Sequence, residues 1–290
     1  LAELRAVCPH VPVQAMLDAA GVGPAQGIDS WYMTDPALLQ YFDTLYTEAR
    51  LPLLKDYAVF MLLSNNSRVL PSAYQEIQLK YDQTMSGAVK RKSTERQELD
   101  LNESLLMQNY GRLYVKRYFS AADKKEVTSY VTLVRDTYKK RISQLEWMSQ
   151  ATKQAAIAKL DHMAIYVAEP GVWPEYIDSY TFVRPEQGGT LIDNTLSLSR
   201  IIQKAWMARL GKPVQKGLWE GFSAHTVNAF YDPSSNSINF PAGELRAPYY
   251  DSKNDRVVNL GETGAIIGHE ITHAIDSNGA QYDAEGRLRN

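Results

Sequence analysis

The stretch His269-Glu270-Ile271-Thr272-His273, near the C-terminal end of the 290 residues, decides the fold of the segment around it. Two histidines four positions apart lie above one another on a helix, because an α-helix has 3.6 residues per turn. Their imidazoles can therefore bind one metal ion from the same side. Glu270 follows His269 at a rotation of about 100°, so its carboxylate lies beside such an ion and does not bind it.

The neighbouring residues favour a helix. Apolar residues recur at i, i+4 and i+8 on one face: Ile267, Ile271 and Ile275. His269, His273 and Asp276 occupy another face, and Asn278-Gly279 is typical of a helix end. A helix over about 262–277 would thus present two metal ligands and a general base, which is the H-E-x-x-H pattern of zinc peptidases.

The third ligand of such a site is not evident. Catalytic zinc usually has three protein ligands and a water molecule. The position of a third histidine in the metzincin pattern is occupied by Gly279, and the only glutamate after His273 is Glu285, beyond the helix end. We therefore expect the chain to stop before the third ligand, and before the carboxylate that would hydrogen-bond and orient a ligating histidine.

Composition excludes several classes of protein. The net charge of −2 predicts no nucleic-acid partner. Cys8 is the single cysteine, so no internal disulfide framework exists, although this does not separate cytoplasm from periplasm. No apolar run approaches the roughly 18 residues of a membrane span. The first residue is Leu1 and not methionine, so we expect an upstream part.

The hydrophobic pattern of the sequence changes near residue 210. Helical periodicity dominates up to that point, with two helices expected within 120–164 and another over 191–210. Extended patterns follow, and residues 226–240 read as a β-hairpin around the turn Asp232-Pro233-Ser234-Ser235-Asn236. We predict a mainly helical α+β protein with a helical lobe over 1–210 and an incomplete zinc-peptidase lobe over 211–290. An exposed strand of the hairpin could bind an extended peptide.

Several motifs together resemble the neprilysin family of zinc metallopeptidases. Residues 227–231 (VNAFY) resemble its V-N-A-[FY]-Y segment, and residues 268–276 (GHEITHAID) resemble its zinc helix. Upstream, residues 113–115 (LYV) and 147–148 (WM) with the following T-K…A…K-L also match, so the resemblance spans about residue 35 to the end. It implies a thermolysin-like zinc lobe and a large helical lobe enclosing a chamber for short peptides.

The resemblance also implies roles for particular residues. His269 and His273 would bind one Zn²⁺ ion, and Glu270 would be the catalytic base that assists attack of a zinc-bound water on the peptide. Asn228 and Ala229 would bind the substrate backbone from an edge strand. The implied activity is a zinc endopeptidase or oligopeptidase that cuts before hydrophobic residues, and the absent cysteine pattern of animal members favours a bacterial one.

Departures from the family pattern leave other readings open. Its third ligand is a glutamate in a later E-x-x-x-D motif, whose aspartate orients a zinc histidine, and that motif is absent here. One alternative is a catalytically incomplete fragment or nicked chain that needs a second segment, supplied by a separate chain. A helical peptide-binding module with a dead metal site is a third reading. A bacterial periplasmic or secreted location is favoured over the cytoplasm.

Overall fold

The structure is a computed structural model that describes residues 2–23, 27, 28, 30 and 35–289. In chain order its helices are α1 (Ala2–Val7), α2 (Val13–Ala20), α3 (Pro36–Leu45), α4 (Leu51–Asn65), α5 (Ser72–Ser86), α6 (Thr94–Leu105), α7 (Met107–Tyr118), α8 (Ala121–Gln144), α9 (Gln150–Asp161), α10 (Leu191–Met207) and α11 (Arg256–His273). The strands are β1 (Ala164–Ala168), β2 (Phe230–Asp232) and β3 (Ser237–Pro241). This mainly helical α+β composition confirms the predicted fold class.

The first compact unit comprises Leu1–Leu105 and Asp178–Pro213 and is helical in its described part. α3 shows how local sequence begins a helix. The Asp35 carboxylate accepts the N–H of Leu38 at 3.0 Å, and Pro36 occupies the first helical turn, where no N–H is needed. In the ranges that the structure describes, no helix is both long and apolar enough to cross a membrane.

The second unit comprises Leu106–Ile177 and Val214–Asn290 and contains the predicted metal helix. α8 begins with a capping box in which Ser120 and Asp123 each bond the other's backbone N–H. Its apolar face packs against α11 and the sheet. The buried core they share includes Val127, Tyr130, Val131, Ile238, Phe240, Ile267 and Ile271. Burial of these side chains is the main term that fixes α11 in place.

The sheet of this unit has the strand order β1-β3-β2. β1 runs parallel to β3, with Ala164 opposite Ser237, and β2 runs antiparallel to β3, with Phe230 opposite Asn239. The sequence reading missed β1, because it extended the helical region to residue 164. A short apolar run before a parallel partner carries no alternation to distinguish it from the end of a helix.

Two predicted boundaries differ from the structure. Strand pairing in the hairpin begins at Phe230 and not at residue 226, and Pro241, at the end of β3, has no N–H to donate to a longer ladder. The metal helix begins earlier than predicted and ends at His273, because the chain turns at Asp276, whose carboxylate accepts the N–H groups of Asn278 and Gly279.

The division into lobes at residue 210 stays a prediction. The chain does leave the first unit near that point, at Pro213. Residues 106–177, however, group with the C-terminal part and not with the helical lobe to which they were assigned. The physical reason is that β1 pairs with β3 and that α8 packs against α11.

Candidate metal centre

Helix α11 holds the two predicted ligands on its accessible face. Ile267 and Ile271 on the opposite face are fully buried. The hydroxyl of Tyr138, from α8, donates to the carbonyl oxygen of Gly268 at 3.0 Å, one residue before the first histidine. Packing and this hydrogen bond therefore fix the rotation of α11, so that its histidines face away from the core.

The two imidazoles converge as one metal ion requires. The Nε2 atoms of His269 and His273 lie 3.1 Å apart, and the rings are nearly perpendicular, at 87°. Two nitrogens that each lie about 2.0–2.1 Å from a tetrahedral zinc ion are about 3.3 Å apart. His269, Glu270 and His273 form a cluster whose ligand atoms all lie within 4.8 Å of one another. The donor set and its spacing thus fit a zinc ion.

Asp276 orients the second histidine. Its Oδ2 lies 2.8 Å from Nδ1 of His273, while its Oδ1 accepts the N–H groups of Asn278 at 2.9 Å and Gly279 at 2.8 Å. The Gly279 N–H, followed by the bond to His273, lowers the pKa of Asp276. The anionic carboxylate keeps the imidazole proton on Nδ1, so that the Nε2 lone pair of His273 is available to a metal.

This contact adds to one expectation. We expected the chain to stop before the carboxylate that would hold a ligating histidine; Asp276 already bonds His273, and a further carboxylate from the later E-x-x-x-D motif stays a prediction. The helix pattern already placed Asp276 on the histidine face at i+7. Helical spacing did not predict the turn after His273, which brings the Asp276 carboxylate back to the imidazole.

Glu270 lies beside the predicted ligands in a protected position. Glu270 is 6% exposed, and its Oε1 is 4.0 Å from Nε2 of His269. Burial raises the pKa of Glu270, against the opposing effects of His273, of His269 and of the N–H of Tyr231, which bonds the carboxylate. A carboxyl group with a raised pKa, beside two metal ligands, suits a general base.

A second buried carboxyl group lies near enough to feel the charge of this one. Glu244 follows β3, is 7% exposed, and has a pKa raised by burial and by the negative charge of Glu270. The neighbouring Gly243 donates its N–H to the carbonyl of Ala224 at 2.9 Å, which ties the segment to the chain before β2. Sequence reasoning missed Glu244, since no motif marks a lone glutamate after a strand.

The predicted substrate-binding pair lies just before the edge strand. β2 is an edge of the described sheet, and the N–H of Tyr231 in β2 bonds Glu270. Asn228 is exposed and Ala229 is buried, and the N–H of Ala229 donates to Oδ1 of Asn228 at 3.0 Å. The structure thus places both residues next to β2 and outside its ladder, and their contact with substrate stays a prediction.

Comparison with known proteins identifies the family. Two models of peptidase family M13 match the chain, one over residues 1–170 and the other over residues 228–290. The chain belongs to peptidase family M13. The second M13 match includes the whole candidate metal centre, and the first ends after β1.

Individual relatives agree with this membership. The chain is 34% identical over 247 residues to a neutral endopeptidase of Lactococcus lactis subsp. cremoris, which covers 85% of this chain and 39% of that protein. It is 29% identical over 259 residues to neprilysin-11 of Caenorhabditis elegans, which covers 87% of this chain and 30% of that protein. The neprilysin resemblance is therefore confirmed, and the chain spans about two fifths of the length of the first of these M13 relatives.

A solved structure gives the same answer. The zinc metalloprotease ZMP1 of Mycobacterium tuberculosis, in complex with an inhibitor, superimposes with a TM-score of 0.87 at 29% sequence identity. The match covers 100% of this chain and 43% of that one. The mainly helical fold with its small sheet is therefore an M13 peptidase fold.

Proposed function

We propose that the protein containing this chain is a zinc-dependent endopeptidase that hydrolyses short peptides. The observation that carries the proposal is the convergence of two Nε2 atoms, 3.1 Å apart, beside the buried carboxylate of Glu270. M13 membership and the likeness to a zinc metalloprotease support zinc as the metal. His269 and His273 would hold the ion, and Asp276 would orient His273.

When bound, a zinc ion lowers the pKa of water toward about 7 and polarises the scissile carbonyl. The residues of this chain supply the proton transfer. Glu270 accepts the proton of the attacking water and passes it to the leaving amine. The N–H of Tyr231 bonds this carboxylate and the residue is buried, which limits its movement. The edge of β2, with Asn228 and Ala229 before it, would align an extended peptide.

The remaining ligand is proposed to come from protein outside these 290 residues. In the described part of the chain, the carboxylates at the histidines are Glu270, whose position suits the base, and Asp276, which bonds His273. A complete catalytic zinc site needs one more protein ligand. On this proposal the isolated 290 residues hold zinc weakly and hydrolyse little, whether the missing segment belongs to the same chain or to a second one.

Finer statements about substrate and location are proposals of the same kind. Cleavage before hydrophobic residues follows from the neprilysin resemblance, and a periplasmic or secreted location is favoured over the cytoplasm. A set of short peptides that differ only in the residue after the cleaved bond tests the first statement. The rival reading, a peptide-binding module, predicts that such peptides bind and stay intact.

Replacement of the base tests the proposal. In the natural-length protein, Glu270→Gln is expected to abolish peptide hydrolysis while zinc content stays at the wild-type level. Glu262→Gln is the matched control, because Glu262 is an exposed residue of the same helix. Full activity of Glu270→Gln would refute the role, and loss of activity in the control would show that the helix tolerates no change of charge.

A further inference from the structure

Lys159, near the end of α9, is a buried cation that bonds backbone and not an acidic side chain. The residue is 4% exposed. Its Nζ donates to the carbonyl oxygen of Gly279 and, at 2.8 Å, to that of Tyr282. Both carbonyls belong to the turn that follows the metal helix. One side chain from a distant part of the sequence thus binds two points of this turn.

The same turn carries the carboxylate that orients His273. Gly279 is bonded on both sides, since its N–H donates to Oδ1 of Asp276 and its carbonyl accepts from Lys159. A Cβ on Gly279 would lie 2.0 Å from the carbonyl oxygen of His273, so this turn packs directly against the helix end. Displacement of Gly279 would therefore move Asp276 relative to the imidazole.

A second set of bonds fixes Lys159 itself. Asn236, fully buried in the hairpin turn, donates through Nδ2 to the carbonyl of Lys159 at 2.9 Å and to that of Ala284 at 2.8 Å. Its Oδ1 accepts the hydroxyl of Tyr231 at 2.9 Å. Nζ of Lys159 also lies 5.8 Å from the centre of the Tyr231 ring. The backbone N–H of Tyr231 in turn bonds the carboxylate of Glu270. The network therefore contacts the supports of both the metal ligand and the base.

A buried lysine charge costs free energy, so its presence at this position needs an explanation. Burial lowers the pKa of Lys159, and the negative charges of Asp283 and Asp276 oppose that effect only in part. A methionine would fill similar space without a buried charge, and buried charges are often no more stabilising than apolar residues of the same volume. What methionine cannot do is donate to two carbonyls at once.

We propose that Lys159 is a positioning residue of the metal centre, which holds the turn 276–282 so that Asp276 stays aligned with Nδ1 of His273. The inference rests on the proposed function, in that the two histidines bind zinc. It predicts that Lys159 acts on the metal only through Asp276. Replacing a residue that bonds a metal ligand typically lowers metal affinity 10–100-fold. Lys159 does not bond His273 itself but holds the turn that carries Asp276, so we expect its replacement to lower zinc affinity up to about tenfold.

Zinc affinity of the natural-length protein, measured by competition with a chromophoric chelator, tests this. Lys159→Met is expected to weaken zinc binding up to about tenfold. In an Asp276→Asn background the same change should have no further effect, because the link it breaks is already absent. Imidazole ¹⁵N shifts should show that Lys159→Met shifts the Nδ1–H tautomer of His273, a readout that a merely structural role would leave unmoved.

Leu160→Ala is the matched control, since Leu160 is the next residue, is fully buried, and lies in the core instead of at the turn. It should lower stability and leave the zinc affinity of the folded chain unchanged. Should Lys159→Met not fold, Lys159→Gln keeps a donor that ends one bond shorter, and its smaller loss should show the same non-additivity.

Three results would overturn the inference: unchanged zinc affinity in the Lys159 variants, additive losses in the double variant, or an equal loss in Leu160→Ala. His269→Ala separates this from failure of the proposed function. If His269→Ala also leaves zinc binding unchanged, the metal site itself is misplaced. If His269→Ala abolishes binding while Lys159→Met has no effect, only the role of Lys159 falls.

Discussion

Replacement of Asp276 by asparagine should weaken zinc binding about tenfold, or ~1.4 kcal/mol. An asparagine can keep its amide oxygen on the N–H groups of Asn278 and Gly279, which Oδ1 of Asp276 accepts at 2.9 and 2.8 Å. Its NH₂ group then faces Nδ1 of His273, where Oδ2 lies at 2.8 Å. The imidazole must become an acceptor there, which moves its proton to Nε2, the atom that a metal would bind.

The size of this loss follows from exposure. Removal of an outer partner costs about 10–100-fold in metal affinity. The side chains of His273 and Asp276 are 44% and 30% exposed, so solvent screens the contact and the lower end of the range applies. The turn itself should persist, because the two backbone bonds remain.

Competition titration of the natural-length protein with a chromophoric chelator measures the effect, and ¹⁵N shifts of His273 report the tautomer. Glu285→Gln is the control. Glu285 is exposed on the segment that follows the metal helix, so its replacement removes the same charge from the same region without changing a contact of Lys159 or of a zinc histidine. Equal affinity of Asp276→Asn and wild type would refute the reasoning. An equal loss in both variants would assign the effect to net charge alone.

Three further outcomes are expected from the metal-free chain. Tyr138→Phe removes the hydroxyl that donates to Gly268 and should lower the free energy of unfolding by about 1 kcal/mol in urea titrations; no change would contradict the docking role of that bond. Ile271→Ala, at a fully buried position, should cost about 2–5 kcal/mol in the same assay, and a cost near zero would mean that α11 is not packed as described. The hydrogen bond from the N–H of Gly279 is the largest of the contacts that lower the pKa of Asp276 in the folded chain. The Asp276 anion therefore stabilises the fold fully above the usual carboxyl pKa of about 3.9, and this stabilisation is lost as pH falls through the lower folded pKa. The difference in unfolding free energy between wild type and Asp276→Asn should thus shrink in acid, and a pH-independent difference would speak against this role.

Much of the metal centre was predictable from sequence because its geometry is local. Four-residue spacing on a helix determines that His269 and His273 share a face, and the isoleucine stripe determines which face is buried. Both statements need only the helical period. The hairpin was predictable for a similar reason, since turn residues separate two short extended runs, although its pairing begins at Phe230 and not at residue 226.

The parts that escaped prediction depend on contacts between distant residues. β1 is a strand only because β3 lies beside it, and nothing within Ala164–Ala168 specifies that partner. Lys159 reads as an ordinary helix residue until the turn after α11 folds against it. Glu244 becomes notable only when Glu270 is nearby in space. Periodicity describes one element at a time, whereas these features belong to pairs of elements.

The parallel pairing of β1 with β3 also has a consequence for the order in which the protein is made. Strand β1 (residues 164–168) cannot pair until residues 237–241 have been synthesised. The chain between them includes residues 178–213, which belong to the other unit. Contacts between residues so far apart in sequence slow folding, because a long loop has to close before the pairing stabilises anything. α8 leaves the ribosome well before α11, so the part of its apolar face that α11 covers stays exposed during that interval, although α9 and β1 cover other parts sooner. The metal helix thus shields this part of the core late, and until then the nascent chain exposes an apolar surface that favours aggregation.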